Sequence, residues 1–261
     1  MANFGRRVQI QLGTEGLPGR TIEGLRVRFQ VEHTRTGAPS TAVIEINNLA
    51  PESLGLLEGD GALIRLSAGY DSPLLVFRGN PSKVVTENHV TRVEAEDGGE
   101  TYREARLSIS LATAVTMQDV LDEAVSQLGV TKGTIRSDLT AEISNGISFS
   151  GPARDMLDRL AETTGSDWMI QDGALQFIER GGQTTQTVVV FSVEGRSMVG
   201  TASKTDTGVE AKGFIAPQLR PGGLFEIRAE RYSGTYIADK VTFIGDTHGN
   251  DFYTIARGRP V

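Results

Sequence analysis

The chain has 261 residues, 38% of them apolar and 23% charged, and carries a net charge of −7 with a pI near 5.1. That length suits one large β domain or two to three small ones, and the balance is that of a soluble globular protein. The lack of cysteine excludes a disulfide framework and a thiolate metal site. Arg and Lys are scattered among acids, so the basic stripe that grips nucleic acid is missing.

The start, MANFGRRVQI, has no apolar h-region, and no later run nears the roughly 18 apolar residues of a membrane span. The expectation is a soluble product made in the cytoplasm, without membrane contact. From Arg6 to about Leu111 the chain reads as strands. RRVQIQL and LRVRFQVEHT alternate apolar and polar residues at period two, the mark of half-buried strands. TAVIEINNL and ALIRLSAGY do the same, with a short helical turn expected over Pro51–Asp60 between them. LLVFRG and HVTRVEAEDGG complete a meander, and such regular spacing suggests a small barrel or sandwich.

The middle changes character. Thr116 and Asp119 have capping-box spacing ahead of Val120, Leu121, Ala124, Val125 and Leu128, with Gly129 at the expected C′ position. A second helix is expected from near Pro152 through Met156, Leu157, Leu160 and Ala161, stopping before Gly165. In DWMIQ-DG-ALQFIE, Asp172-Gly173 lies between alternating strands, a strong hairpin signal. Gly181-Gly182-Gln183-Thr184-Thr185 reads as a linker. Ser192–Phe214 reads as an irregular strand-and-loop excursion with the character of a contact surface.

The fold expected is mainly β with an α+β insert. A first β-barrel (tube-like) domain covers 1–111, a two-helix α+β domain covers 112–182, and a second β-barrel domain covers 183–261. The two β segments share a pattern. Each has a strand, an Ala-Pro turn (Ala50-Pro51, Ala216-Pro217), and a strand ending in Tyr (Tyr70, Tyr232). Each then has a hairpin opened by Lys-Val (Lys83-Val84, Lys240-Val241), bent through a His (His89, His248) and closed on Gly (Gly98, Gly258).

Chemistry is sparse. Asp246, His248 and Asp251 form the one dense cluster of potential metal ligands, but Asp, Gly and Asn also make tight turns, and a β-turn is the favoured reading. His33 and His89 are lone residues in or beside strands. Glu94, Glu96 and Asp97 read as a solvated strand end, because adjacent strand residues face opposite ways and cannot pair across a cleft. Gly129–Gly133 lacks the P-loop frame, Gly98-Gly99 is no dinucleotide fingerprint, and no nucleophile elbow is present. Trp168 reads as a core residue. The expectation is no catalytic residue, no metal and no cofactor. The alternative is a tail-associated peptidoglycan hydrolase using carboxylates, or a metal at Asp246, His248 and Asp251.

Several short motifs carry a family likeness: Asn48-Leu49, Gly59-Asp60, Ala68-Gly69-Tyr70, Phe77 to Gly79, Asp97-Gly98, Thr116 to Leu121, Ser150 to Leu160, Trp168 to Gly173, Leu219 to Gly222 and Gly245 to Thr254. In this order and spacing the chain, over nearly its whole length, resembles the baseplate hub proteins of contractile-tailed and Mu-like bacteriophages. The resemblance implies a homotrimer whose two similar barrels per chain make a ring of pseudo-sixfold symmetry around a channel. Its implied partners are further copies of itself, the central spike protein, the tail tube or tube-initiator protein, the tape-measure protein and baseplate wedge proteins. DNA would pass without specific binding, and the place would be the virion tail. The long insertion and lysozyme-like segment of larger members are absent from this sequence.

Overall fold

The computed structural model describes residues 5–14, 19–97, 105–112, 114–184 and 187–261. The first arm consists of β1 (Arg6–Thr14), β2 (Arg20–Ile22), β3 (Val27–Thr34), β4 (Thr41–Asn47), helix α1 (Pro51–Glu58), β5 (Ala62–Tyr70), β6 (Leu74–Glu87) and β7 (Val90–Glu96). In β3 the period-two pattern turns Val27, Phe29, Val31 and His33 inward, and Arg28 and Gln30 outward. Pro51 begins α1, where its missing N–H costs nothing. The closing glycine expected at Gly98, and its neighbour Gly99, lie outside the described residues.

An insert follows: β8 (Arg106–Leu111), β9 (Val115–Thr116), α2 (Met117–Leu128), β10 (Thr131–Arg136), β11 (Glu142–Ile143), β12 (Ile147–Pro152), α3 (Ala153–Thr163), β13 (Ser166–Gln171) and β14 (Ala174–Glu179). The capping box of α2 is formed: Thr116 Oγ1 accepts from the Asp119 amide at 3.2 Å, and Asp119 Oδ2 accepts from the Thr116 amide at 2.7 Å. Gly129 ends the helix at φ 65°. Pro152 is the N-cap of α3 rather than its first residue, and the Ala153 amide bonds back to the Ala105 carbonyl. Leu107 and Ile109 of β8 pack with the apolar faces of both helices, Trp168 and Phe177 in a separate core. The insert therefore draws on residues ahead of position 112.

The second arm consists of β15 (Val188–Ser192), β16 (Ser203–Lys204), β17 (Val209–Phe214), β18 (Leu224–Arg228), β19 (Gly234–Asp246) and β20 (Phe252–Pro260). The expected pattern repeat is present as topology. The order β3–β4–β7–β6–β5–β1 of the first arm recurs as β16–β17–β20–β19–β18–β15 in the second. The long strand of each arm slips register just before its Lys-Val pair, between Pro81 and Lys83 in β6 and between Ala238 and Lys240 in β19. A bulge there bends each strand so that it leaves one neighbour and takes up another. The copies also differ. The second arm has an irregular turn over 215–223 where the first has α1. And β15 runs parallel to β18, whereas β1 runs antiparallel to β5.

Among the described residues the strands do not close into barrels. The two arms are joined edge to edge in one 13-stranded sheet, because β19 pairs antiparallel with β3 from Lys240↔Thr34 to Asp246↔Arg28. The joined sheet folds over one shared core that includes Phe77, Phe191, Phe225 and Phe243, each fully buried. Burial of each such ring is worth about 1.5–3 kcal/mol. Tyr70, at the end of β5, packs edge-on against Phe252 and Phe214 of the second arm, with centroids 5.4 and 6.1 Å apart. Gly69 beside it is in extended backbone, not the left-handed region. Space is what favours glycine there, since a Cβ would lie 3.1 Å from the Ser72 carbonyl oxygen and 3.3 Å from Pro73 Cα, and these neighbours would have to give by a few tenths of an ångström.

Candidate functional site

The polar side chains that matter lie at the joints between the three parts. The first joint is a latch between the insert and the sheet. Asp172 and Gly173 turn the β13–β14 hairpin at φ 53° and 82°, which points both amides at one carboxylate. That carboxylate is Asp97, at the end of β7: it accepts from the Asp172 amide at 2.6 Å and the Gly173 amide at 3.2 Å. Arg220 reaches the same turn, its Nε donating to Asp172 Oδ2 at 3.1 Å and its Nη2 to the Leu75 carbonyl at 2.9 Å. Arg78 Nη1 donates to the Asp172 carbonyl at 3.2 Å. Asp97 is thus a buried clamp and not the solvated strand end its Glu-rich surroundings suggest. Burial first, and then the facing Asp172, push its carboxyl up to about 7 against the pull of the two amides.

His33 lies behind this latch, fully buried. Its Nε2 is 2.9 Å from the Val76 carbonyl and its Nδ1 is 2.9 Å from Ser40 Oγ. A carbonyl only accepts, so Nε2 carries the proton and Nδ1 accepts from the hydroxyl, the neutral tautomer. Burial, and then the nearby Arg220, lower its pKa to about 4. Its ring stands edge-on to Phe243. This is a satisfied core histidine, and the Ser40 hydroxyl beside it is itself buried away from solvent.

The second joint is Arg35, whose side chain is only 4% exposed. Its Nε donates to Asp167 Oδ2 at 3.0 Å, Nη1 to the Gly182 carbonyl at 2.6 Å and Nη2 to the Glu179 carbonyl at 3.1 Å. One guanidinium thus ties the end of β3 to both ends of the insert's last hairpin. Trp168 is buried as expected, with Nε1 donating to Asp158 Oδ1 at 2.8 Å.

The Asp246 cluster is a turn held by ion pairs. Asp246 Oδ2 accepts from Arg26 Nη2 at 2.9 Å and Arg28 Nε at 3.0 Å, while Oδ1 accepts from the His248 amide at 2.9 Å. Arg26 first among these partners holds its carboxyl well below the usual carboxylate range. A cation would have to displace two arginines. His248 is exposed and bonds through Nδ1 to Thr247 Oγ1. Among the described residues no three His, Asp or Glu side chains are grouped to share an ion. His89 is exposed in the two-residue turn between β6 and β7, at φ 63°.

Charge and spacing gave Arg35, Arg78 and Arg220 no role, Asp97 only that of a solvated strand end and Asp172 only that of a turn residue. Three of the family-like motifs, Asp97-Gly98, Trp168 to Gly173 and Leu219 to Gly222, nevertheless meet at the latch through Asp97, Asp172 and Arg220. What the arrangement does chemically is hold: each ionised group is spent on a backbone or side-chain partner across a joint.

Comparison with known proteins gives the same outline. No family model and no curated protein matches the chain. Solved structures do. A tail protein from Neisseria meningitidis matches with a TM-score of 0.69 at 10% identity, over 98% of this chain and 97% of that one. The fold is shared with phage tail proteins. The 43 kDa tail protein of prophage MuSo2 from Shewanella oneidensis matches with a TM-score of 0.66 at 12% identity, over 98% and 99%. An Escherichia coli component of the type VI secretion system, described as structurally similar to the T4 tail proteins gp27 and gp5, matches at 0.62 and 11%, over 96% and 76%.

Proposed function

We propose that the chain is a structural component of a phage-type tail baseplate, a homotrimeric hub. Its two arms act as two tube-like units, so three copies present six equivalent units around a channel. Such a ring joins a sixfold tail tube on one side to a threefold central spike on the other. The observation that carries this reading is the recurrence of one six-strand order within a fold shared with tail proteins. A chain that holds two copies of one unit converts threefold symmetry into sixfold with no further part.

The work of such a hub is mechanical. The latch at Asp97 and the Arg35 clamp fix the insert against the sheet, which keeps the faces toward tube and spike in constant relation. The net charge of −7 repels DNA, so genome passing through the channel slides without being gripped. Tape-measure and wedge proteins are the remaining neighbours this position calls for. The protein acts by shape, without a catalytic residue.

Light scattering with negative-stain images of the same peak tests this. The expected result is rings of about 84 kDa, three times the 28.0 kDa chain. A two-fold dimer, or monomers alone at the highest soluble concentration, sinks the ring.

A further inference from the structure

The two arms differ in one respect that their shared topology does not explain: what covers the outer edge of the long strand. In the second arm, Lys240–Asp246 of β19 have β20 on one side and β3 on the other. The corresponding stretch of the first arm, Lys83–Glu87 of β6, pairs with β7 on one side. Among the described residues nothing pairs with its other side. Burial follows suit: Val241 and Phe243 are fully buried, whereas their counterparts Val84 and Thr86 are half-buried and exposed.

A second uncovered edge is complementary to the first. In the second arm the counterpart of β3 is β16, which among the described residues pairs with β17 alone. Beside it opens a cleft of ≈ 1060 Å³ lined by Ser203, Lys204, Val193 and Tyr232. Tyr232 is 39% exposed and Val193 55%. Tyr232 lies in the loop after β18 rather than at a strand end as expected, whereas Tyr70, which does end β5, is half-buried with Phe252 of the β19–β20 hairpin resting on it. Tyr232 lacks such a hairpin.

The register can be carried across. Lys83 and Lys240 follow the two bulges and face Glu94 and Arg257. Those face Val43 and Glu210 in turn, which face Gln30 and Ser203. This places Thr86 in the role of Phe243, and Lys204 in the role of Val31, its pairing partner. Backbone direction agrees. In a two-residue hairpin the residues flanking the turn bond to each other, so Glu87 is spent on Val90 and Thr86 turns its N–H and C=O outward. The Thr205 amide bonds the Gly208 carbonyl at 2.9 Å, which by the same alternation turns Lys204 outward.

We propose that the β6–β7 hairpin of one copy docks into the cleft beside β16 of a second copy, with Thr86 opposite Lys204 and Glu87 opposite Ser203, repeating between chains the β19–β3 junction made within each chain. The contact is head-to-tail, so it propagates until it closes into a ring. An uncovered strand edge is the template such pairing needs. The proposal rests on the hub reading for the number of copies and names the surface that joins them.

The test uses the full chain, which has no cysteine of its own. Glu87→Cys combined with Ser203→Cys forms a non-hydrogen-bonded cross-strand pair, within reach of a disulfide. Oxidation is expected to give covalent dimers and trimers from the double variant and none from either single variant. Thr86→Pro removes the outward N–H together with the Thr86 Oγ1–Thr91 Oγ1 hydrogen bond at 3.0 Å, which Thr86→Ala removes alone. Relative to Thr86→Ala it is expected to weaken assembly about tenfold, the loss of one well-made backbone hydrogen bond, with the melting of the two monomers alike. Trimers that do not cross-link overturn this pairing and leave the ring standing. Cross-linked open chains that do not close at three keep the pairing and remove the trimer. Monomers without cross-links overturn both, and a cross-link only to a co-expressed tail partner overturns the self-pairing.

Discussion

β6 and β19 are the same strand in two copies of one pattern, yet one is enclosed and the other is bare along half its length. Both have the bulge, the Lys-Val pair and the same neighbour order. They differ in the residues that follow. Phe243 and Ile244 continue β19, where a second sheet neighbour has to be met; Thr86 and Glu87 continue β6. A hydrophobe sits where the neighbour is part of the same chain, and a smaller or charged residue sits where the edge must wait in water. Internal duplication makes exposure informative, because each position carries its own control.

The largest test of this comparison is truncation at matched positions. Phe243→Ala should cost about 3–5 kcal/mol, the range for emptying a buried aromatic site. Thr86→Ala should stay within about 0.5 kcal/mol, as exposed substitutions do. Urea melts of the two variants decide it, and equal losses would mean that the β6 edge is as well covered as that of β19.

Next in size is a pH effect confined to the joint between the first arm and the insert. His33 titrates near 4 in the folded chain against 6.5 as a free group, so the unfolded chain takes up its proton first. Stability from His33 therefore falls as pH drops from 6.5 toward 4. Asp97 titrates near 7 folded against 3.8 free, so the folded chain keeps its proton longer. Stability from Asp97 therefore falls as pH rises from 3.8 through 7. In the native chain the two slopes oppose each other between these limits, each up to about 1.4 kcal/mol per pH unit. Asp97→Asn should leave a melting temperature that climbs toward pH 6.5, and His33→Gln one that declines toward pH 7. Calorimetry across that range would show both, and parallel profiles would refute the assignment.

Smaller still is Gly69→Val, expected to cost about 1–3 kcal/mol by overpacking against Ser72 and Pro73. Smallest is the ion pair across the junction, Lys240 Nζ to Glu32 Oε2 at 2.8 Å. Lys240→Ala should lose about 0.2–1 kcal/mol, and Lys83→Ala at the matched free edge should lose nothing measurable in the monomer. A measurable monomer loss for Lys83→Ala would mean that this edge already has a partner within the chain.

What could be read from residues in order was local. The period-two strands, the Thr116–Asp119 capping box, the Gly129 stop and the Asp172-Gly173 hairpin each depend on neighbours a few positions apart. What escaped depends on distance along the chain. Asp97 looks like a solvated carboxylate until the β13–β14 turn, some 75 residues on, presents two amides to it. Two separate barrels were expected from the regular strand spacing, the repeated pattern and the family resemblance; the β19–β3 pairing that joins them crosses more than 200 positions and leaves no local sign. The reason for a glycine at position 69 is the approach of Ser72 and Pro73, visible only once the turn after Tyr70 is built.

That same pairing sets a timetable for the newborn chain. β3 is synthesised early, but the strand that covers its outer edge ends at Asp246, about 200 residues later. At roughly 5–20 residues per second, β3 waits on the order of 10–40 s on the ribosome with one side unsatisfied. Neighbouring ribosomes on one message carry the same bare strand at the same time. Slowing translation late in the message would lengthen that wait and raise the yield of tangled chains, with no change to the finished fold.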